Sequence, residues 1–295
     1  MQLFLVRFVV TYTKKFSQSW LNSPFFFLFF ARHGESENNI VQEATFGNME
    51  LFQKQRTVDP SLTKKGVEQA KQLALLLEKK HAHITKLLVS PMKRTLQTAA
   101  PLAEALGVRA EIWPEIFEEG GLYHTETPSK TYTGLKRSEI LQMLPDANVP
   151  FDDSGWYHLG KQESRQECRE RAKEVAKKLR QMAAAISIPE KQTNRHRPPF
   201  PPVSQHVWIV SHGTFLFFLM QEIIGTNKIL VHHNNVGISC LTLFPPEGTL
   251  VSVKFLNRII HSNPIHKKSQ NNQESTEEIE QMFHPLLSLD YKSKL

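Results

Sequence analysis

Along this chain, apolar runs end abruptly in polar clusters, and segments of helical period follow them. FFFLFFA (25–31) is seven apolar residues in succession and gives way at once to Arg32, His33, Gly34 and Glu35. KLLVS before Arg94 and HVWIVS before His212 repeat the arrangement. Runs of this length without polar alternation predict buried strands of a parallel sheet. VRAEIWP predicts a further strand. GISCLTLF and TLVSVKFLN, joined across PPEG, predict an antiparallel hairpin near the end of the sheet. Between the runs, Val67, Ala70, Ala74 and Leu77 fall on one helical stripe and Leu96, Ala99, Ala103 and Leu106 on another. A longer stripe runs through Cys168, Ala172, Val175, Leu179, Met182 and Ile186. Such stripes are the core-facing sides of helices packed on a sheet.

The pattern fails in three places. Residues 1–24 begin with an acid-free segment that reads as a poorly ordered extension, with a mitochondrial transit peptide as the alternative. SIPEKQTNRHRPPFPPVSQ (187–205) carries five prolines and reads as a surface insertion. Residues 261–295 form a polar tail in which TEEIEQMFHPLLSL has the makings of a short docking helix. One domain over 25–260 remains.

Composition narrows the setting. Neither MQLFLV nor FFFLFFA approaches the ~18 apolar residues of a membrane span, so no integral membrane segment is expected. Cys168 and Cys240 are the only cysteines and lie far apart, which excludes a disulfide framework and points to a reducing, cytoplasmic environment. The net charge of +7 would suit nucleic acid, but Arg7, Lys14, Lys15 and Arg32 all precede the first acidic residue, Glu35. The excess is an N-terminal feature rather than a basic groove, and no nucleic-acid partner is expected.

In open, mostly parallel sheets, ligands bind beyond the carboxyl ends of the strands. Arg32, His33, Arg94 and His212 all fall at such ends. Two guanidinium groups offering paired planar donors, with two imidazoles able to donate or attack, suit a phosphoryl dianion. The resemblance that follows rests on Arg32-His33-Gly34-Glu35-Ser36 with Asn39 three residues on, DPSLTKKGVEQA (59–70), SPMKRTLQTA (90–99) and VSHG (210–213). In these motifs, over roughly residues 25–257, the chain resembles the histidine phosphatase superfamily, the phosphoglycerate mutase-like proteins.

That resemblance implies an α/β fold, a three-layer α/β/α sandwich with a mostly parallel sheet and an antiparallel edge. It also implies a phosphohistidine intermediate on His33, formed without metal or cofactor. Arg32, Arg94 and His212 are then expected to hold the phosphoryl oxygens, Asn39 to add a neutral donor, and Gly34 to let backbone approach the phosphate. Gly213 is expected at the phosphate too, and the helix beginning after His212-Gly213 would aim its amino terminus at the same anion. Thr63 reads as a helix cap, Gln69 as a packing residue, and Glu35 as a partner to the first motif. His81, His83, His124, His158, His232 and His233 read as surface histidines. Asn235 is a candidate for orienting the loops.

For the general acid, PEIFEEGGLYH offers Glu115, Glu118 and Glu119, unless this loop does not supply it. Glu118 is chosen because Glu-x-Gly-Gly resembles the family's proton-donor segment, without its tryptophan. Where the family's mutases carry Gly-Trp ahead of the aspartate, this chain has ATFGNMELFQKQRTVDP. That departure favours a phosphomonoester hydrolase over a mutase-type phosphotransferase. A non-catalytic interaction module is the reading from another class. Tyr123, Tyr132, Phe151, Trp156 and Tyr157 are expected to form the lid or substrate wall, with Lys130, Lys136 and Arg137 as possible anion contacts. The substrate, a phosphorylated small molecule or a phosphoprotein, is left open, as is the oligomeric state.

Overall fold

The computed structural model describes residues 25–79, 82–125, 130–186, 204–244 and 250–259. The extension, the tail with its candidate helix, and the PPEG turn lie outside the described residues. So does the proline-rich stretch, apart from Ser204 and Gln205, and Gln205 opens a strand rather than closing an insertion.

Six strands form one sheet: β1 (Phe26–Arg32), β2 (Lys86–Val89), β3 (Ala110–Ile112), β4 (Gln205–Ser211), β5 (Ile238–Phe244) and β6 (Leu250–Arg258). Their order is β3-β2-β4-β1-β5-β6. The first four run parallel, whereas β5 pairs antiparallel with both β1 and β6. The predicted hairpin is therefore present at the edge.

Seven helices surround the sheet: α1 (Glu37–Ala44), α2 (Met49–Gln55), α3 (Lys64–Lys79), α4 (Lys93–Leu106), α5 (Arg137–Met143), α6 (Arg165–Ala184) and α7 (Gly213–Ile224). Phe29 and Ala31 of β1, with Val89, Trp208 and Val210, pack against α3, α4 and α5. Phe26, Leu28 and Phe30, with Val207 and Ile209, pack against α6 and α7. β1 is apolar up to Arg32 because successive side chains enter two different cores. Trp208 lies flat on Phe29, with ring centroids 5.1 Å apart, which fixes the β1–β4 register from the side-chain layer as well as from the ladder.

Two expectations need correction. Val67 is 37% exposed, and the buried stripe of α3 is Gly66, Ala70, Leu73, Ala74 and Leu77. The helix presents a broader, rotated face because its first turn packs through a glycine. Trp156 and Tyr157 do not form a free lid. They are buried with Met92, Phe117 and Leu122 in a third, smaller core, and Tyr132 and Phe151 pack against it.

Among the described residues, no helix is long and apolar enough to cross a membrane.

Candidate active site

Pairing Arg32 with Ser211 in the parallel ladder puts the residues that follow, His33 and His212, side by side at the carboxyl end of the sheet. The His33 N–H extends the ladder to the Ser211 carbonyl at 3.1 Å, and the two imidazole centroids are 5.3 Å apart. β2 contributes Ser90, whose N–H bonds the Val210 carbonyl at 3.1 Å, and α4 begins three residues later with Arg94 on its first turn. Three adjacent strand ends thus bring together His33, His212 and Arg94, with Arg32 on the last residue of β1.

His33 is 3% exposed. Its Nδ1 lies 2.7 Å from the Gly34 carbonyl, which can only accept, so Nδ1 carries the proton and Nε2 the lone pair. Arg94 Nε–H donates to that Nε2 at 3.1 Å. Burial, then the Arg94 and Arg32 charges, hold the His33 pKa well below its ordinary value, and the Gly34 bond opposes them only in part. The ring is neutral at physiological pH. His212, fully buried, is held low by burial first and then by Arg94, His33 and the other arginines. Its Nε2 meets Ser90 Oγ at 2.8 Å, while Nδ1 is buried with no partner among the described residues.

Arg32 donates from Nη1 to the His233 carbonyl at 2.7 Å, and its Nε is buried and unpartnered, which leaves the Nε/Nη2 edge open. Gly213 lies against that guanidinium: a Cβ there would stand 3.5 Å from Arg32 Nε. The two guanidinium groups and the unpartnered His212 Nδ1 make a buried cationic pocket around a neutral imidazole. Such a pocket binds a dianion and stabilises charge on it.

Glu118 enters from the loop after β3. Its Oε1 accepts the Phe215 N–H at 2.9 Å, its Oε2 takes a longer bond of 3.4 Å from Thr214, and its charge reaches both Arg32 and Arg94. The α7 amino terminus, expected to face a phosphate, has its Thr214 and Phe215 N–H groups taken by a side chain, which leaves that of Gly213. The Glu118 carboxylate occupies two of its free N–H groups, because a helix start attracts the nearest anion. The loop is held from beneath by Arg171 of α6, whose Nη1 donates to the Glu115 and Phe117 carbonyls at 2.8 and 3.0 Å. Arg171 also forms a two-pronged pair with buried Glu163 and lies over the Phe117 ring. Of the other candidates on this loop, Glu115 pairs with Lys178 of α6, and burial pushes the Glu119 carboxyl up.

Asn39 accepts at Oδ1 from the Ser36 N–H and hydroxyl, both at 3.0 Å, and from Asn235 Nδ2 at 3.2 Å. Its own amide hydrogens are the part left for a ligand. Asn235 also donates to the His33 carbonyl at 3.1 Å, so it does orient the loops as suggested.

Gly34 is required by a protein contact as well. A Cβ on Gly34 would meet the Gly66 carbonyl oxygen at 2.5 Å, and one on Gly66 would meet the Glu35 oxygen at 2.0 Å. The two glycines let α3 press on the loop behind His33. Thr63 does cap α3 through the Gly66 N–H at 3.0 Å and also donates to the Glu35 carboxylate, which pairs with Lys65. Gln69 does more than pack: its Oε1 accepts the Glu35 N–H at 2.8 Å. His233 is fully buried rather than at the surface, with Nε2 on Ser239 Oγ at 2.8 Å, because its carbonyl must reach Arg32.

Sequence reasoning left several contributors without a role. Ser90 and Asp59 stand inside the quoted motifs SPMKRT and DPSLTKK. Asp59 accepts the Lys93 N–H at 3.0 Å and sits 3.9 Å from Arg94 Nη1, and burial pushes its carboxyl up to about 6. Arg171 falls on the polar side of a helical stripe, and no local signal distinguishes it from a solvated arginine.

A family model of the histidine phosphatase superfamily (branch 1) matches residues 28–188, more than half of the chain, and the protein belongs to that superfamily. Among solved structures, the ecdysone phosphate phosphatase of Bombix mori, determined with tungstate, is similar with a TM-score of 0.53 at 13% identity, over 83% of this chain and 98% of that one. A mycobacterial glucosyl-3-phosphoglycerate phosphatase gives 0.48 at 17% identity, over 79% and 99% of the two chains. A phosphoserine phosphatase from Entamoeba histolytica, in complex with 3-phosphoglyceric acid, gives 0.44 at 18% identity, over 79% and 96%. At 13% identity, the likeness to the Bombix mori structure is one of fold. No curated protein sequence matches the chain.

Proposed function

We propose that this protein is a metal-independent phosphomonoester hydrolase that works through a phosphohistidine on His33. The observation that carries the reading is the buried neutral imidazole with its Nε2 lone pair turned toward Arg94, inside a pocket of open cationic donors. The incoming phosphoryl group takes the Arg94 donor that now rests on Nε2. Nε2 then attacks phosphorus, the P–O bond to the alcohol breaks, and the departing oxygen takes a proton from Glu118, which enters this step as the acid rather than as the carboxylate that caps α7. In the second half-reaction water attacks phosphorus, the P–N bond breaks, and Glu118 receives the proton.

Arg32 through its Nε/Nη2 edge, Arg94, Asn39 through its amide hydrogens and the Gly213 N–H bind the equatorial oxygens. His212 joins them: Ser90 Oγ gives its hydrogen to Nε2, so Nδ1–H faces the phosphate. The donors are in place before reaction, so charge is stabilised without reorganisation. Water as acceptor follows from the absence of the mutases' Gly-Trp pair. Two free, buried cysteines accord with a cytoplasmic setting, and a phosphorylated small molecule or phosphoprotein is the substrate class.

The test is hydrolysis of p-nitrophenyl phosphate with and without chelator, coupled to acid-quench detection of acid-labile phosphoprotein. Both signals are expected in the parent protein with chelator present, and both vanish in His33→Ala. Turnover by His33→Ala at more than a small fraction of the parent rate rejects the phosphohistidine.

A further inference from the structure

Arg56, the residue that ends α2, turns its side chain away from solvent and over the Tyr123 ring, 4.2 Å from the centroid. Tyr123 belongs to the loop that carries Glu118, so the contact joins α2 to the acid-bearing segment. Nη1 of Arg56 donates to the Tyr123 carbonyl at 3.3 Å, while Nε is buried and unpartnered among the described residues. As in Arg32, the Nε/Nη2 edge is left open, and this is the edge that grips a carboxylate or phosphate with two parallel bonds. Gln53, one turn earlier on α2, donates from Nε2 to the Tyr123 hydroxyl at 3.2 Å, and its Oε1 is likewise buried without a partner. Thr57 pins the backbone beside Arg56: its N–H and carbonyl bond the Asn38 side chain at 2.8 and 2.7 Å.

This is a built position, and its charge is uncompensated. Among the described residues no carboxylate lies within ion-pair distance of Arg56. Arg56 lies three residues before Asp59, which stands 3.9 Å from Arg94 Nη1, and Thr57 beside it is tied to Asn38, the neighbour of Asn39. These links, with the Tyr123 contact to the loop that carries Glu118, put Arg56 at the rim of the site. A half-buried cation on the rim of an anion site, stacked and pre-oriented, gains further from an anion of its own.

We propose that Arg56, held by Tyr123 and flanked by Gln53, is a second anion subsite that takes an acidic group on the alcohol part of the phosphoester. The inference rests on the hydrolase reading above and narrows it to esters bearing a carboxylate or a second phosphate. Its test is a binding measurement, so that it fails separately from catalysis. Titration calorimetry of the full chain compares three non-hydrolysable probes: propylphosphonate with one acidic group, 3-phosphonopropionate with an added carboxylate, and 1,2-ethanediyl bisphosphonate with a second phosphonate. One of the doubly acidic probes should bind about tenfold or more tightly than propylphosphonate, as a charge-assisted bidentate pair supplies. The tighter of the two identifies the second group. In Arg56→Gln the preference should fall to within about threefold, and Arg56→Lys, which keeps charge but loses the fork, should lie between. Equal binding of all three probes by the parent protein overturns the subsite, as does a preference that survives in Arg56→Gln. Hydrolysis of p-nitrophenyl phosphate by the same preparation reports on the catalytic reading independently of that ratio.

Discussion

Replacing Arg94 with alanine separates two effects that the structure couples. Arg94 is 7% exposed, donates to His33 Nε2 at 3.1 Å and stands 3.9 Å from Asp59. Losing one preorganised charged donor to a developing phosphoryl charge costs about 2.7–4 kcal/mol, roughly 10²–10³ in rate. The opposing effect is that Arg94 is the second of the causes that hold His33 low, so its removal makes the imidazole more basic and a better nucleophile. Basicity returns only part of its change as nucleophilic rate, so the loss prevails and kcat/KM falls by at least about a hundredfold. The pH dependence has a definite sign. The attacking form is neutral and predominates above the His33 pKa, and that pKa rises when Arg94 leaves. The acid limb of the kcat profile therefore moves to higher pH than in the parent protein, with the substrate's own titration common to both. Steady-state kinetics over pH 4–8 on one aryl phosphate, with thermal melts to check the fold, measure both quantities. A fall in rate with the acid limb unmoved or moved to lower pH would refute the coupling, and a loss explained wholly by unfolding would refute the electrostatic role.

Glu118→Gln should slow esters with poor alkoxide leaving groups far more than aryl esters, and a rapid-quench trace on an aryl ester should show a burst of phosphoenzyme followed by slow release. Equal losses on both ester types without a burst would move the acid to another residue. Gly66→Ala tests the contact behind the nucleophile. Alanine gains about 1 kcal/mol in helix propensity, but its Cβ would meet backbone at 2.0 Å, and overpacking costs about 1–3 kcal/mol or more. A lower melting temperature and reduced kcat are expected, and a stabilised, fully active variant would show that the contact yields freely.

The strands and the motif residues were legible because their signals are local. FFFLFFA can be read as doubly buried from composition alone, and the strand-end positions of His33 and His212 follow from where the apolar runs stop. Helices α1, α2 and α5 are too short and too weakly periodic to announce themselves. What the sequence could not convey are contacts between distant segments. Gly34 is small because Gly66 opposes it, and neither tripeptide names the other. His233 looks like any loop histidine until the β5–β6 pair closes over it. Arg171 lies on the polar side of α6, and only the packed loop above it shows that its guanidinium holds two carbonyls beside Glu118. The α7 amino terminus can be read from the sequence as a place for an anion, but that the Glu118 carboxylate takes two of its N–H groups depends on where the β3 loop folds.

The register between β1 and β4 sets a condition on how this protein comes into being. The paired strands are 179 residues apart in sequence, yet they place the two imidazoles as neighbours. Nothing shorter than that span brings His33 and His212 together. Closing it costs chain entropy before any contact across the ladder repays it. During synthesis, the segment carrying Arg32, His33, Asn39 and Arg94 emerges long before its partner strand, with the apolar β1 flanked by neither of its neighbours. Assembly of the candidate site is thus tied to completion of the central sheet, and no partly folded form that lacks β4 possesses it.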